Sequence, residues 1–517
     1  MVALLLLVIL SIIAIGPQNI VHGAQHIYNK WMILTMIIEK IERFYIEQRE
    51  PDNLVKNAID GILNGLDPHS VYLTPEQYKE WTQNFDSFYQ GIGLKYNTID
   101  EKLVIVSLVE DGPAAAAGIR IGDRILQIEG RSIAKLKPEE ISDLIIGPLG
   151  THLRILVERE EAKELLTFSV PRENILIESI PCACLLNDST GYIKISHFTD
   201  STPTELDLAF AKLNSQGISQ LMIDLRDNGG GTLNSGIAVA DRLIPGGKLI
   251  AFTKGRAPRS SEQYLATDGK TFPIMPLILL VNEGTASDAE IVSGAVQDWD
   301  RGIVVGRQTF GKAMVQTEFP FQDGSALLLT TARYYTPLGR LIQREYDAAG
   351  QENSRGSGTP AAKRKTERRY TTPKERVVYG GGGIRPDVVI ERPRTEVSES
   401  FQRLYYAPEN FIIKFAHEQV SSGRLPQSDL ASFIRDFEVT PTMLHQFRIL
   451  VFNSGFNMSE KDFQENRDRI KFVIKREMAA RIWGEDGRST MNAYKDQEIA
   501  AALKSFGLAV KLLEPKL

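Results

Sequence analysis

The spacing of hydrophobic residues changes along the chain and divides it into regions of different predicted structure. Apolar positions over residues 25–84 recur at helical spacing, which predicts helices that end near Asp67-Pro68. Residues 85–172 carry short apolar runs separated by Gly turns, which indicates short strands. Strands alternate with helical stretches over residues 173–395, and this alternation favours an α/β core. Residues 396–517 return to amphipathic helical spacing.

The pattern also predicts individual elements in the middle of the chain. The predicted strands are Leu103–Val109, Ile125–Ile128, Leu153–Val157, Tyr192–Ile195, Leu221–Leu225, Leu277–Val281, Ala313–Phe319 and Ala326–Ala332. The predicted helices are Ala114–Ala117, Thr204–Leu213 and a segment that ends near Trp299. The strands at 221–225 and 277–281 each enter a polar turn, and these turns carry most of the candidate chemistry.

Residues 1–24 are interpreted as a targeting segment and not as part of the fold. Val2–Ile15 is an almost unbroken apolar run that ends at Gly16-Pro17. As a helix it would be about 21 Å long, which is short against a hydrocarbon core of about 30 Å. It fits the apolar part of a signal peptide, although a basic segment before it is missing. We therefore expect export, with an uncleaved anchor or a misassigned translation start as the alternatives.

The overall composition is that of an ordinary globular protein. The chain has 517 residues, of which 43% are hydrophobic and 24% are charged, and this excludes a polytopic membrane protein and a disordered chain. A net charge of −5 argues against nucleic-acid binding. The basic run Lys363-Arg364-Lys365 is interpreted as part of a solvated loop. Two cysteines, Cys182 and Cys184, exclude a disulfide scaffold and a four-cysteine zinc site.

The first candidate segment is Asp224–Gly231, which follows the apolar strand at 221–225. It ends in Gly229, Gly230 and Gly231. Glycines let the backbone approach a ligand closely and turn its amides toward an anion, either a phosphate or an oxyanion. A plain tight turn before a helix is the alternative.

The second candidate segment, Asn282–Ile291, follows the strand at 277–281 and opens a helix. Ser287 then lies in the first helical turn, where unpaired amides can stabilise an oxyanion beside its hydroxyl. The alternative is helix capping, because Ser287 and Glu290 have the spacing of a capping box. Thr285 and Asp288 have the same spacing.

The third candidate segment, Gly306–Ala313, differs by one residue from a phosphate-binding P-loop. Ala313 lacks the hydroxyl that contacts magnesium, and the residues that follow it alternate as in a strand rather than a helix. Nucleotide binding is therefore disfavoured. On a strand, Lys312 and Gln316 share one face, so Gln316 can orient Lys312 as the base of an activated nucleophile.

A lysine base requires a lowered pKa. A shift of about three units from its reference value corresponds to about 4 kcal/mol, which burial can supply. The apolar neighbours Phe310, Met314 and Val315 make that burial reasonable. His197 is the nearest histidine for a conventional triad, and we expect it to be structural.

The three segments, in this order, resemble those of the carboxy-terminal processing, or tail-specific, serine peptidases. The matching patterns are D-L-R-x-N-x-G-G in Asp224–Gly231, the serine segment Asn282–Ile291 and G-K-x-x-V-Q in Gly311–Gln316. The intervals from Ser287 to Lys312 and from Lys312 to Gln316 also agree with the family. Gly381–Val388 is similar to the family's G-x-G-I-x-P-D-V.

The middle of the chain resembles a PDZ domain. Gly112–Ala114 and Gly118–Leu126 match its core signature. The residues that resemble its carboxylate-binding loop are Gly91, Ile92, Gly93 and Leu94. PDZ domains add an extended peptide as a strand and bind its terminal carboxylate with backbone amides. The resemblance therefore implies protein substrates selected by apolar C-terminal tails.

The family resemblance also implies a fold and a set of roles. The fold is an α/β core of the ClpP/crotonase type with an inserted PDZ domain and flanking helical regions. Ser287 attacks the scissile carbonyl, neutral Lys312 takes its proton, and Gln316 holds Lys312. The implied oxyanion donors are the backbone amides of Gly229, Gly230 and Asp288. The resemblance implies no metal and no organic cofactor.

The expected divisions are residues 1–24, a helical region 25–84, a PDZ domain 85–172, a peptidase core 173–395 and a helical region 396–517. The expected location is the bacterial periplasm or cell envelope, and an adaptor or activator protein and a homo-oligomer remain open. Asp288 departs from the Ala-Ser that often follows the nucleophile in the family. A non-catalytic PDZ scaffold with a degenerate core is the alternative to a peptidase.

Overall fold

A computed structural model describes residues 17–83, 86–99, 102–109, 111–133, 136–159, 162–345, 368–393, 397–407, 409–423, 425 and 429–514. The predicted targeting run Val2–Ile15 and the basic run Lys363–Lys365 lie outside these residues. The described chain forms two compact units. The first contains residues up to Tyr78 and Gln316–Thr330, and the second contains the other described residues.

The helices and strands cover most of the described chain. The helices are α1 (Pro17–Phe44), α2 (Pro51–Leu63), α3 (Pro75–Gln83), α4 (Pro113–Ala116), α5 (Pro138–Ile145), α6 (Thr202–Ser215), α7 (Leu233–Leu243), α8 (Asp288–Asp298), α9 (Glu399–Tyr405), α10 (Phe411–Ser421), α11 (Leu430–Asp436), α12 (Pro441–Asn453), α13 (Glu460–Glu465), α14 (Arg467–Lys495), α15 (Gln497–Leu503) and α16 (Phe506–Leu513). The strands are β1 (Val71–Leu73), β2 (Phe88–Gly91), β3 (Leu94–Ile99), β4 (Lys102–Leu108), β5 (Arg124–Ile128), β6 (Arg131–Ser132), β7 (His152–Glu158), β8 (Leu166–Pro171), β9 (Glu173–Leu176), β10 (Cys182–Asn187), β11 (Thr190–Lys194), β12 (Gln220–Asp224), β13 (Leu249–Gly255), β14 (Gln263–Leu265), β15 (Leu277–Val281), β16 (Ile303–Gly306), β17 (Met314–Pro320), β18 (Ala326–Tyr335), β19 (Arg369–Thr371), β20 (Val377–Tyr379) and β21 (Val388–Val389). No described helix has both the length and the apolar character needed to cross a membrane.

The first unit is built on α1, α2 and an antiparallel pair formed by β1 and the start of β18, in which Val71 lies opposite Leu328. The turn before β1 is held by the Asp67 carboxylate. It accepts hydrogen bonds from the amide of His69 at 2.9 Å and from the hydroxyl of Ser70 at 2.8 Å. This turn is a structural element that joins α2 to β1.

An antiparallel sheet in the second unit has the strand order β3-β4-β5-β7-β8, with β6 paired to β5. Its interior is aliphatic and includes the fully buried Ile105, Ile125 and Ile155. β3 is an edge strand of this sheet among the described residues. Separately, β2 pairs with β9, so the chain enters and leaves this region through one two-stranded ladder.

A second six-stranded sheet in the same unit, the core sheet, has the order β10-β11-β12-β15-β16-β21. Its neighbouring strands run parallel, except that β10 and β11 are antiparallel. Parallel neighbours need crossover connections, and α6, α7 and α8 lie in the connections between β11, β12, β15 and β16. The predicted mixed α/β architecture is confirmed.

Successive residues of the central strands pack on opposite faces of this sheet. Ile223 and Leu279 join the cluster that contains the α6–α8 side chains. Met222 and Leu280 join a second cluster, which contains residues of α15 and α16. The extreme C-terminal helices therefore cover one face of the core sheet, and this explains why β15 is apolar and buried at all five positions.

Candidate active site

The three candidate segments follow three neighbouring strands of the core sheet. β12 pairs with β15 and β15 pairs with β16, both in parallel, with Asp224 opposite Leu280 and Val281 opposite Gly306. The carboxyl ends of parallel neighbours lie at one edge of a sheet, where α/β folds place their ligand sites. The strand order therefore collects the Gly turn, the serine segment and the lysine segment at one edge.

Asp224 ends β12 and is surrounded by charged partners. Arg226 donates to both of its oxygens, with Nη2 2.7 Å from Oδ2, and Tyr192 donates to Oδ2 at 2.8 Å. Lys194 lies 3.4 Å from Oδ1. Burial raises the pKa of the Asp224 carboxyl, but Lys194 and Arg226 outweigh it and hold the pKa below its ordinary value.

The Gly turn is shaped by close backbone contacts. The side-chain oxygen of Asn228 accepts from the amide of Gly230 at 2.9 Å. Gly230 has φ +98°, and a Cβ there would lie 2.7 Å from the Cβ of Ser287. At Gly231 a Cβ would lie 1.8 Å from the carbonyl oxygen of Phe198. These positions need glycine because other backbone and the serine approach so closely.

Ser287 is half-buried at the point where the chain enters α8. Its φ of 55° and ψ of −118° are unusual for a residue other than glycine, and such strain concentrates at functional sites. Its amide donates to Glu290 Oε2 at 3.0 Å, which is the acidic half of the capping box. Its carbonyl oxygen accepts from the hydroxyl of Tyr334 at 3.0 Å. Ser287 therefore has a strained backbone and also takes part in the helix-capping interaction.

Glu290 connects the serine segment to the lysine segment. Its fully buried carboxylate accepts hydrogen bonds from the amides of Ser287, Gly311 and Lys312 at 3.0, 2.8 and 2.9 Å, and from the hydroxyl of Thr309. Burial raises the pKa of Glu290 to about 7, although these donors lower it. One side chain thus fixes the backbone on both sides of the candidate site.

Lys312 is half-buried and precedes β17 by two residues. Burial lowers its pKa, while Asp288 and Glu290 act in the opposite direction. A strand, not a helix, follows the segment, whereas a P-loop is followed by a helix.

Asp288 is the first residue of α8 and its side chain is buried. Its Oδ2 accepts from the amide of Gly231 at 2.8 Å, which ties the serine segment to the Gly turn. Burial raises the pKa of Asp288 to about 6, while Gly231 and Lys312 lower it. The Asp288 carboxylate, which departs from the family pattern, therefore accepts a hydrogen bond from a backbone amide.

The remaining predicted residues of the site differ in their location and their partners. Gln316 belongs to the first unit, where its side-chain amide donates to Thr330 Oγ1 at 3.3 Å. Among the predicted oxyanion donors, the Gly230 amide already has an acceptor in Asn228, Gly229 is exposed, and the Asp288 amide opens α8. His197 lies after β11, half-buried, with Nδ1 2.9 Å from the Ser196 hydroxyl.

The predicted carboxylate-binding loop leads into the edge strand β3 of the antiparallel sheet. The carbonyl oxygen of Ile92 accepts from the amide of Ala114 at 3.0 Å, and that of Gly93 accepts from Val109 at 2.9 Å. Gly91 ends β2 and Leu94 starts β3, and all four loop residues are buried. The loop is therefore held against the turn before α4.

Several residues of the site carried no signal that sequence reasoning used. Tyr334 belongs to no motif, and Thr309 lies in the third segment without an assigned role. Tyr334 donates a hydrogen bond to the carbonyl oxygens of Ser287 and Lys312, and Thr309 donates one to Glu290. Glu290 was visible only as a capping residue. No three His, Cys, Asp or Glu side chains in the described part of the chain are placed together as metal ligands.

Two sequence-family models match the chain. The model of peptidase family S41 matches residues 189–349, and the PDZ domain model matches residues 104–159. These ranges contain four of the six strands of the core sheet, namely β11, β12, β15 and β16, together with the three candidate segments and most of the antiparallel sheet.

Named relatives match a larger part of the chain. It is 30% identical over 390 residues to the carboxy-terminal-processing protease of Bartonella bacilliformis, covering 75% of this chain and 81% of that protein. It is also 30% identical over 318 residues to the carboxy-terminal processing protease CtpA of Bacillus subtilis, covering 61% of this chain and 67% of that protein. A solved photosystem II D1 C-terminal processing protease matches at 25% identity over 70% of this chain and 88% of that one, with a TM-score of 0.36.

These matches confirm the predicted resemblance, the α/β fold with a PDZ domain, and the assignment to serine-type peptidases. They do not favour the alternative of a non-catalytic scaffold. The chain belongs to peptidase family S41, as a PDZ-containing carboxy-terminal processing serine protease.

Proposed function

We propose that Ser287 and Lys312 form the catalytic dyad of this peptidase. The observation that carries the proposal is the Glu290 carboxylate, which accepts hydrogen bonds from the backbone amides of both residues. This arrangement keeps the nucleophile and the base in a constant relation without occupying either functional side chain. The strained backbone of Ser287 and the lowered pKa of Lys312 support the same assignment.

In the proposed reaction, neutral Lys312 accepts the proton of the Ser287 hydroxyl as the oxygen attacks the scissile carbonyl. Protonated Lys312 then gives the proton to the leaving amine, and water hydrolyses the acyl-enzyme by the reverse sequence. We propose that the amides of Gly229 and Asp288 stabilise the oxyanion, with Gly230 contributing after its amide leaves Asn228. Gln316 is proposed to orient Lys312, on the basis of the sequence pattern.

The proposed substrates are proteins with apolar C-terminal tails, bound at the loop Gly91–Leu94 and along the edge of β3. β3 lies at the edge of its sheet in the described part of the chain and can add a peptide strand, and the loop can supply amides to the terminal carboxylate. We also propose export to the bacterial envelope, on the basis of Val2–Ile15. The division of the chain into the five regions given in the sequence analysis is proposed as well. An adaptor or activator and a homo-oligomer fit this proposal and are not required by it.

The test is digestion of an unfolded protein that ends in an apolar tail. We expect wild type to cleave it and Ser287→Ala and Lys312→Ala to lose activity by at least 10³-fold. Lys212→Ala is the matched control, because Lys212 is an exposed lysine of the same unit, on α6. Retained cleavage in Lys312→Ala would remove the proposed base.

A second arm separates tail binding from chemistry. The same substrate with an amidated C-terminus should show a raised KM with kcat nearly unchanged, because only the carboxylate contact is lost. An unchanged KM would contradict the proposed role of Gly91–Leu94. Tail binding without cleavage, together with absent fluorophosphonate labelling of Ser287, would contradict the dyad.

A further inference from the structure

A buried carboxylate near the C-terminus of the chain contacts two loops of the candidate site. Glu498, in α15, accepts a hydrogen bond from Arg226 Nη1 on Oε2 at 2.9 Å and from Arg307 Nη1 on Oε1 at 2.7 Å. The side chains of Glu498, Arg226 and Arg307 are 9, 12 and 13% exposed, so little solvent screens these pairs. The peptidase motifs do not include Glu498.

The first arginine lies in the loop that forms the Gly turn. Arg226 follows β12 by two residues, and its guanidinium also contacts Asp224 and, through Nη2 at 2.9 Å, Asp496. The turn continues directly to Gly230, which packs against the Cβ of Ser287. The position of Arg226 therefore bears on the proposed oxyanion donors.

The second arginine lies in the loop that leads to the proposed base. Arg307 follows β16 by one residue and precedes Lys312 by five. Its Nε is 2.9 Å from both carboxylate oxygens of Glu283, in the turn before Ser287. Arg307 therefore connects the serine turn, the lysine loop and Glu498.

The strand order makes this contact specific. β12 and β16 are the two neighbours of β15, the strand that leads to Ser287. Glu498 thus joins the loops on both sides of the nucleophile strand. Asp496 orients α15 for this contact, because its side chain accepts from the amides of Glu498 and Ile499 at 2.7 and 3.0 Å.

We infer that Glu498 is a positioning residue of the peptidase: it fixes the Gly turn and the lysine loop relative to Ser287 through Arg226 and Arg307. The inference rests on the proposed Ser287–Lys312 dyad. If Glu498 has this role, the C-terminal helical region contributes to catalysis although it contains none of the peptidase motifs. A misplacement of about 1 Å at such loops can reduce turnover by about 100-fold.

The central test compares Glu498→Gln with wild type in the full chain, on the unfolded substrate with an apolar tail. We expect kcat to fall about 10- to 100-fold and KM to stay within about threefold, because the tail-binding loop is untouched. The rate of fluorophosphonate labelling at Ser287 should fall in parallel. Glu498→Asp, which keeps the charge on a shorter side chain, should recover part of the lost kcat.

Glu477 provides a matched control for stability. It is a buried carboxylate of the same C-terminal region, on α14, and it also accepts from two arginines, Arg476 and Arg488, each at 2.8 Å. Its arginines do not belong to the candidate-site loops. Glu477→Gln should lower the unfolding temperature about as much as Glu498→Gln while leaving kcat unchanged.

Several outcomes overturn the inference or locate its failure. A kcat of Glu498→Gln within about twofold of wild type overturns it, as does an equal loss of kcat in Glu477→Gln. If Glu498→Gln does not fold, the kcat of Arg307→Lys tests the inference instead, because a single ammonium cannot contact Glu283 and Glu498 as the guanidinium does. A kcat of Arg307→Lys within about twofold of wild type then overturns the inference. If Ser287→Ala retains cleavage, the proposed function fails and the inference with it, whereas an inactive Ser287→Ala beside a fully active Glu498→Gln rejects the inference alone.

Discussion

Two buried carboxylates near the same edge of the core sheet differ in the partners that hold them. Asp224, at the end of β12, is surrounded by Lys194, Arg226 and the Tyr192 hydroxyl. Glu290, in α8, accepts hydrogen bonds from uncharged backbone amides and from the Thr309 hydroxyl. The pKa of Asp224 is held below its ordinary value, whereas that of Glu290 is raised to about 7.

The comparison teaches that burial alone does not decide the charge of these groups. Burial raises the pKa of both carboxyls, and the charges and hydrogen bonds of Lys194 and Arg226 reverse its effect at Asp224. Asp224 therefore stays ionised to a lower pH than an ordinary aspartate does. Glu290, which connects Ser287 to Lys312, changes its protonation near neutral pH.

The largest expected effect comes from removing the charge of Asp224. Asp224→Asn leaves Lys194 and Arg226 without their buried anion, and we expect it to lower the free energy of unfolding by about 3–5 kcal/mol. Urea unfolding at pH 7 measures this change. A loss below about 1 kcal/mol would show that the charged partners of Asp224 contribute little to stability, and it would contradict the comparison with Glu290.

The next effect is a pH dependence of stability that arises at Glu290 and not at Asp224. Because the folded-state pKa of Glu290 lies above its ordinary value of 4.5, the folded state binds more protons, and stability falls as pH rises from 4.5 to about 7. The contribution is about 3 kcal/mol over this window. Asp224 has a lowered pKa, so its contribution is full above pH 3.8 and is lost only as pH falls below that value.

Urea unfolding from pH 4 to 8 checks this prediction, with Glu290→Gln as the informative variant. The substitution resembles the protonated carboxyl, so it should flatten the dependence and leave the part that arises at Asp288. A slope that remains the same in Glu290→Gln would assign the dependence to other groups.

A smaller effect concerns activity and Asp288. Its carboxylate favours the protonated form of Lys312, so Asp288→Asn should lower the pKa of Lys312 further. We expect kcat/KM to rise with pH through the Lys312 pKa in both proteins, and to be about threefold higher at pH 7 in the variant. Below the Asp288 pKa of about 6 the two profiles should converge. Asp207→Asn, at a half-exposed ion pair on α6, is the control and should leave the pH profile unchanged. A profile of Asp288→Asn that is shifted to higher pH would contradict the interpretation.

The smallest effects come from deleting one hydroxyl in each region. Tyr192→Phe removes a donor to Asp224, and Thr309→Val removes a donor to Glu290. Each should lower the free energy of unfolding by about 1 kcal/mol. Only Thr309→Val should change the pH dependence between pH 5 and 8, because it raises the pKa of Glu290 further. Equal pH dependence in the two variants would contradict the distinction between the regions.

Local pattern and spacing predicted the elements that position the site. β15 has the predicted bounds Leu277–Val281, and a helix follows Ser287 as expected. These features depend on residues close together in the sequence, where periodicity and turn chemistry are informative. The predicted strand at Ala313–Phe319 begins one residue later, at Met314, because Gly311 has φ +93° and lies against Gly383. Lys312 therefore lies before the strand that was expected to orient it.

Contacts between distant residues could not be predicted from the pattern. Glu498 and Arg226 are 272 residues apart, and nothing in either local sequence indicates the other. Glu290 matched a capping box, and its contacts with Thr309, Gly311 and Lys312 depend on the pairing of β15 with β16. The pairing of β2 with β9 was missed for the same reason.

The face of the core sheet covered by α15 and α16 has a consequence for the order of folding. Ile499 and Phe506 lie more than 200 residues after Leu280, the strand residue in their cluster. During synthesis, that face of the sheet stays uncovered until α15 and α16 are available. We expect the nascent chain to lack peptidase activity until α15 and α16 have been synthesised, so that the fold itself delays the onset of cleavage.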